Sequence, residues 1–135
     1  PSTVKKIEYG AFSGCTGLTE IVIPATVTDL SEYAFSGCIN VKKYISYATT
    51  LLSIRDFQNL ETLEIHNADE IGLFYMTDRS NPVKIYLDNV KVIIMSAFKN
   101  LAPGSEIFVK EASRPADWDE EWCDDSVAVH WGATF

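Results

Sequence analysis

The chain has 135 residues, of which 47% are hydrophobic, and this length and composition suit one domain with a core of its own. A formal net charge of −8 without any basic stripe argues against nucleic acid and against anionic lipid surfaces as partners. No apolar run reaches the roughly 18 residues that a membrane-spanning helix needs, so we expect no membrane insertion.

The chain opens with PSTVKKIEYGAF, which looks like the middle of a repeat. It lacks the basic segment and apolar run that together form a signal peptide. We therefore expect a fragment of a longer protein, with its N-terminal part and any export signal lying before residue 1.

The string AFSGC occurs twice near the N-terminus, at residues 11–15 and 34–38. Its phenylalanines, Phe12 and Phe35, lie 23 residues apart. A catalytic motif is normally needed once, whereas a copy at a fixed interval is typical of repeat architectures. The duplication therefore favours a structural role.

Short segments in which apolar residues alternate with others follow at a similar interval. Their first inward positions are Ile21, Tyr44, Leu63, Ile85 and Ile107, separated by 23, 19, 22 and 22 residues, and Val129 begins a last one. Alternation with a period of two predicts short, half-buried strands. Since every unit runs in the same sense, stacking them predicts a parallel sheet over a continuous core.

Phenylalanines follow the same period. Phe12, Phe35 and Phe98 each precede a strand position by nine residues, and Phe57 precedes one by six. We expect Phe12 and Phe35 to be stacked core aromatics, with Phe74 or Tyr75 serving the fourth unit.

Three cysteines, Cys15, Cys38 and Cys123, cannot all pair within the chain, and no C-x-x-C spacing supports a zinc site. Cys15 and Cys38 are equivalent positions of adjacent units, so they should be neighbours. We predict a ladder of small buried thiols, because stacked copies point in parallel and a disulfide requires Cβ atoms that face each other. We expect Cys123 to be packed and unreactive.

The segment EASRPADWDEEWCDD, residues 111–125, holds seven acidic residues and one arginine. A calcium loop would need a glycine turn between its oxygen ligands, and this run has none. Trp118 and Trp122 share a helical face at a spacing of four, and Pro115 suits a helix start. The segment therefore predicts a short capping helix that closes the end of the core, and no metal site.

No nucleophile elbow, zinc-protease helix, phosphate loop or dinucleotide turn occurs in the sequence. His66 and His130 would each need a serine or cysteine within hydrogen-bond reach to act as a catalytic base. We expect no catalytic residues and no cofactor, although residue order alone does not exclude a triad assembled by the fold.

The unit from Leu18 to Cys38 reads L-x-x-I-x-I-P-x-x-V-x-x-L-x-x-Y-A-F-x-x-C and closely resembles the BspA-like leucine-rich repeats of bacterial surface proteins. The specific features are the Ile23-Pro24 step and the Ala-Phe-x-x-Cys box. The tail, with Pro115, spaced tryptophans and a final V-x-W-G, resembles the end of such arrays. The resemblance is strong over residues 7–46 and 105–132 and weaker between them.

This resemblance implies an α/β repeat fold, a right-handed leucine-rich-repeat solenoid. A parallel sheet would form the concave face, with short helices or irregular returns on the convex face. We expect a single domain with repeats over about residues 1–110 and a capping segment over about 111–135.

The strongest binding candidates face outward on the predicted strands. They comprise the middle position of each strand and two flanking lysines: Val22, Lys43, Ile45, Glu64, Lys84, Tyr86, Phe108 and His130. An apolar strip rimmed by mixed charge is a plausible surface for a protein partner, with Tyr86 and Phe108 as aromatic anchors. The preference of Val, Ile, Tyr and Phe for strands is an alternative explanation of the same residues.

The resemblance also implies a function. We expect a non-enzymatic module of an exported or cell-surface bacterial protein that mediates protein binding or adhesion. A spacer that presents another domain is the alternative, and an enzyme with an unrecognised site is a distant third. Fold analogy by itself does not fix function.

Overall fold

The computed structural model describes residues 3–50, 54, 56–72 and 80–135. Within these residues the chain forms ten short strands joined by turns and bends. In chain order they are β1 (Lys6–Ile7), β2 (Glu20–Ile23), β3 (Asp29–Leu30), β4 (Lys43–Ser46), β5 (Thr62–His66), β6 (Glu70–Ile71), β7 (Lys84–Asp88), β8 (Val92–Ile93), β9 (Glu106–Val109) and β10 (Ala128–Trp131).

The longer strands form one six-stranded parallel sheet in the order β2-β4-β5-β7-β9-β10. Its register aligns the predicted inward positions in a single line across the sheet: Ile21, Tyr44, Leu63, Ile85, Ile107 and Val129. The units differ in length, but the difference lies in the returns between the strands, so the register of the sheet is unchanged. The predicted parallel sheet of a solenoid is therefore confirmed.

The returns carry a second set of parallel contacts. β1 pairs with β3, β6 pairs with β8, and Ile93 of β8 forms a parallel bridge to Trp118. These pairs give the returns backbone hydrogen bonds from one turn to the next. No helix occurs in the described part of the chain, so the expectation of helical returns is wrong and that of irregular returns is confirmed.

The predicted capping helix starting at Pro115 is also wrong. Its backbone groups bond to the preceding turn: Asp119 N–H donates to the Ile93 carbonyl at 2.8 Å, and the Trp122 carbonyl accepts from Phe98 N–H at 2.8 Å. A helix would use these groups internally. The segment therefore closes the core as one more return of the solenoid, with Trp118 and Trp122 both buried.

The core lies between the sheet and the returns. It contains Leu63, Ile65, Ile85 and Leu87 from the central strands, each with no exposed surface. The phenylalanines of the returns, Phe35, Phe57 and Phe98, are buried against them. The core position predicted for Phe35 is thus confirmed, while the prediction for Phe74 or Tyr75 lies outside the described residues.

Phe12 follows the predicted stacking but not the predicted burial. Its ring lies 4.9 Å from that of Phe35 at an angle of 4°. It remains 42% exposed, because it lies in the first described turn and only the following turn, through Phe35, covers one of its faces. Expecting Phe12 inside the core was therefore wrong.

The two AFSGC strings form equivalent turns that bond to each other. Phe12 N–H donates to the Ala34 carbonyl and Gly14 N–H to the Ser36 carbonyl, both at 2.8 Å. Gly14 and Gly37 adopt left-handed conformations with φ of 70° and 76°, which glycine tolerates without steric cost.

The thiols beside these turns agree with the ladder prediction in part, because Cys38 is buried whereas Cys15 is only partly buried. All three cysteines are free, and buried Cys38 donates from Sγ to the Phe12 carbonyl at 3.1 Å. Burial raises the pKa of Cys38. Burial, supported by the nearby charges of Asp124 and Asp125, raises the pKa of Cys123 to about 11.

These shifts predict a loss of stability at alkaline pH. Burial raises the pKa values of Cys123 and Tyr44 in the folded chain, so the folded state holds these protons more tightly than the unfolded state. The Cys123 contribution is complete below the ordinary thiol pKa of about 8.5 and is lost as the pH rises toward about 11, and the Tyr44 contribution starts to be lost only above the ordinary tyrosine pKa of about 10. We expect a lower urea midpoint at about pH 10.5 than at about pH 7.5.

Circular dichroism during urea titration measures this midpoint. The variant Cys123→Ala should show a smaller decrease between the two pH values than the parent chain. Equal urea midpoints for the parent chain at both pH values would contradict the raised pKa values of these buried groups.

Candidate functional site

The candidate site is the outer face of the six-stranded sheet, the side turned away from the core. Since side chains alternate along a strand, the residues between two inward positions must point to this side. The register aligns Val22, Ile45, Glu64, Tyr86, Phe108 and His130 in one line, which we call the outer row. All six predicted residues of this row are thus brought together.

Three members of the outer row form a continuous ring stack. The ring centroids of Tyr86 and Phe108 lie 4.9 Å apart at 13°, and those of Phe108 and His130 lie 4.6 Å apart at 13°. Neighbouring strands are spaced by about 4.8 Å, so equivalent rings on adjacent strands stack face to face. This stacking leaves Tyr86 and Phe108 half-buried while Val22 at the far end is exposed.

A charged row flanks the outer row on the N-terminal side of each strand, and it contains Glu20, Lys43, Thr62, Lys84 and Glu106. Lys43 Nζ lies 3.1 Å from Glu64 Oε1, and His130 Nε2 lies 2.9 Å from Glu106 Oε2. The hydrogen bond to Glu64 raises the pKa of Lys43. The predicted lysines Lys43 and Lys84 therefore lie at the rim of the outer row, as their spacing indicated.

A second flanking row was missed from the sequence. It lies on the C-terminal side and contains Tyr47, His66, Asp88 and Lys110. His66 Nδ1 is 3.3 Å from Asp88 Oδ2, and Lys110 Nζ is 3.0 Å from the same oxygen. The rings of Tyr47 and His66 stack at 4.7 Å and 17°. Each residue lies two positions after a member of the outer row, so extending the alternation would have found them.

Within this second row, partial burial of Asp88 opposes ionisation, but hydrogen bonds from Lys110 and His66 outweigh it. They hold the pKa of Asp88 below its ordinary value. The carboxylate thus stays charged and fixes His66 and Lys110 in place on the outer face.

The C-terminal residues also reach the outer face. After β10, Gly132 N–H donates to the Glu111 carbonyl at 2.8 Å and Ala133 N–H to the Val109 carbonyl at 2.9 Å. Phe135 then packs edge-on against Tyr86, with centroids 5.2 Å apart at 65°. No pattern in the sequence indicated this contact, because Phe135 belongs to no repeat.

A cleft opens on the outer face between two groups of rings. The Tyr47–His66 stack and the Tyr86–Phe135 pair both line it, together with Lys43, Thr62 and Glu64. The two groups meet where Phe135 lies edge-on to His66, with centroids 6.4 Å apart. Its volume is about 520 Å³. Aromatic faces and hydrogen-bonding groups therefore meet in one concave space.

Both histidines pair with carboxylates, His66 with Asp88 and His130 with Glu106. These pairs are not the nucleophile–base arrangement of a hydrolase. Among the residues that the structure describes, no group of three His, Cys, Asp or Glu side chains could hold a metal ion. Nor does the described part contain a helix of sufficient length and hydrophobicity to cross a membrane.

Comparison with known proteins gives one match. A family model described as "BspA type Leucine rich repeat region" matches residues 1–103 in six copies. No curated protein and no solved structure matches the chain.

Proposed function

Because the chain belongs to the family of BspA-type leucine-rich repeats, we propose that it binds another protein through the outer face of its sheet. Such repeats generally mediate protein interactions and are typically non-enzymatic. The family is also often surface-associated, which supports placing the module in an exported or cell-surface bacterial protein. Its partner would then be a host or bacterial surface protein.

The stack of Tyr86, Phe108 and His130 is the observation that carries this proposal. Strand preference explains an aromatic residue at any one of these positions. It explains less well why three rings on adjacent strands, joined by Phe135, are placed on the side away from the core. Large, rigid rings that bring little conformational entropy are the usual energetic anchors of protein interfaces.

The rim of the stack suits the same role. The Lys43–Glu64 ion pair and the hydrogen bond between His130 and Glu106 border the rings with polar groups that remain partly exposed. An apolar centre with a polar rim is the common anatomy of a protein interface. The rim would align a partner, while the rings would provide most of the affinity.

The test is binding of the immobilised chain to an array of purified host extracellular proteins and bacterial surface proteins. For a captured partner, the double variant Tyr86→Ala/Phe108→Ala should weaken binding at least about tenfold, as loss of interface anchors does. Biolayer interferometry measures the affinities, and circular dichroism confirms that the variant is folded.

The chain offers a matched control on the returns. Tyr9 and Tyr33 form another exposed ring pair, with centroids 5.8 Å apart, and Tyr9→Ala/Tyr33→Ala should leave the affinity unchanged. If the Tyr86→Ala/Phe108→Ala variant bound the partner as tightly as the parent chain, the outer-face proposal would be contradicted. Failure to capture any protein would favour the alternative function, a spacer that presents another domain.

A further inference from the structure

The cleft on the outer face has the size of a small-molecule site. Its volume of about 520 Å³ lies within the range of roughly 300–1,000 Å³ that ligand pockets occupy. Tyr47, stacked on His66, lines it, and so does Tyr86 with Phe135. The site is assembled from strands on three consecutive turns and from the C-terminal residues.

The charges in and beside the cleft are already balanced. Lys43 lies 3.1 Å from Glu64 within it, and Asp88 beside it binds both His66 and Lys110. For a charged ligand, each side chain of opposite charge would therefore already be paired with another residue of this chain. The cleft offers hydrogen bonds and ring faces and little net charge, which favours a neutral ligand.

The lining also distinguishes among neutral ligands. A purely apolar molecule would take the Thr62 hydroxyl and the Lys43–Glu64 pair out of contact with water and give them no hydrogen bond in return. An extended peptide binds most readily by pairing with a free strand edge, whereas β5 and β7 are paired on both sides. A ligand with apolar C–H faces and many hydroxyl groups matches both the rings and the polar side chains.

From this combination we infer that the cleft binds a short neutral saccharide. Tyr86 lies against the C–H face of a sugar ring, and Tyr47, one face of which is covered by His66, contacts the saccharide through the rest of its ring. The Lys43 ammonium donates to its hydroxyl groups, the Glu64 carboxylate accepts from them, and the Thr62 hydroxyl does either. The saccharide could be free or carried on a glycoprotein, and its site does not require the protein interface proposed above.

Saturation-transfer NMR on the whole 135-residue chain tests this inference. The probes are neutral pentasaccharides built of glucose, mannose, galactose or N-acetylglucosamine, with a sulfated pentasaccharide for comparison. We expect transfer to the ring C–H groups of at least one neutral probe. We also expect weaker binding of the sulfated form, and an affinity that changes less than about twofold when salt rises from about 0.05 to 0.5 M, since exposed charges are screened in this range.

Variants locate the site. Tyr47→Ala should weaken saccharide binding at least fivefold, while Tyr47→Phe, which keeps the ring face, should retain most of the affinity. Tyr33→Ala, an exposed tyrosine on the returns, is the matched control and should change nothing. Circular dichroism checks that each variant is folded.

Absence of transfer from every neutral probe would overturn the inference, as would tighter binding of the sulfated probe or unchanged binding by Tyr47→Ala. Loss of saccharide binding in Tyr47→Ala with protein capture intact would separate this site from the protein interface. If the bound saccharide is a glycan on a protein partner, removing the glycans from that partner should abolish its capture.

Discussion

Replacing Trp118 with alanine is expected to lower the free energy of unfolding by about 3–5 kcal/mol, the usual cost of truncating a buried aromatic residue. Trp118 is 1% exposed and packs edge-on against Trp122, with ring centroids 5.1 Å apart. Its indole Nε1 also donates to the Val90 carbonyl at 3.0 Å. The change would therefore leave a large cavity and an unpaired carbonyl at the end of the core.

Urea titration followed by circular dichroism measures this loss without relying on tryptophan fluorescence. Trp118→Phe should cost less, because it keeps a six-membered aromatic ring in the core. It loses the indole donor, worth about 1–3 kcal/mol, and the volume of the five-membered ring. Asp117→Ala, at the exposed neighbouring position, should stay within about 0.5 kcal/mol of the parent chain. A Trp118→Ala variant as stable as Asp117→Ala would show that this segment does not close the core.

The second large effect is expected at the centre of the sheet. Leu63 of β5 has no exposed surface and lies in the line of inward positions between Tyr44 and Ile85. Leu63→Ala should lower the free energy of unfolding by about 2–5 kcal/mol, because the rigid stack on either side cannot collapse fully into the cavity. Urea titration followed by circular dichroism measures this change in the free energy of unfolding.

Thr62, the preceding residue, points to the outer face and is the matched control for this substitution. Thr62→Ala should cost less than about 1 kcal/mol, since no core cavity forms. If Thr62→Ala proved more damaging than Leu63→Ala, the assignment of the two faces would be reversed and the outer row would be wrong.

The sheet could be predicted from the sequence because each strand repeats the same two inward positions. The alignment from Ile21 to Val129 follows from this period even where the units differ in length. The outer row came from the same rule, since a residue between two inward positions can only face the other way. Whether that row binds a partner is a separate question, which the proposed capture experiment addresses.

The returns were harder to predict because their structure depends on contacts between turns. Trp118 and Trp122 have helical spacing, but Ile93 and Phe98 of the preceding turn engage the backbone around them. Local spacing is a weak prior that tertiary contacts override. Phe135 was missed for a related reason, as its contact with Tyr86 joins a residue outside the repeats to one within them.

The fixed register of the sheet has a consequence for how this surface can change. The outward positions of the strands lie in the outer row and in the two rows that flank it, whereas the line of core residues behind them is built from inward positions alone. Substitutions at these positions are therefore expected to change the chemistry of the outer face while leaving the core behind it intact. One side of a strand tolerates change because the other side carries the packing that holds the turns together.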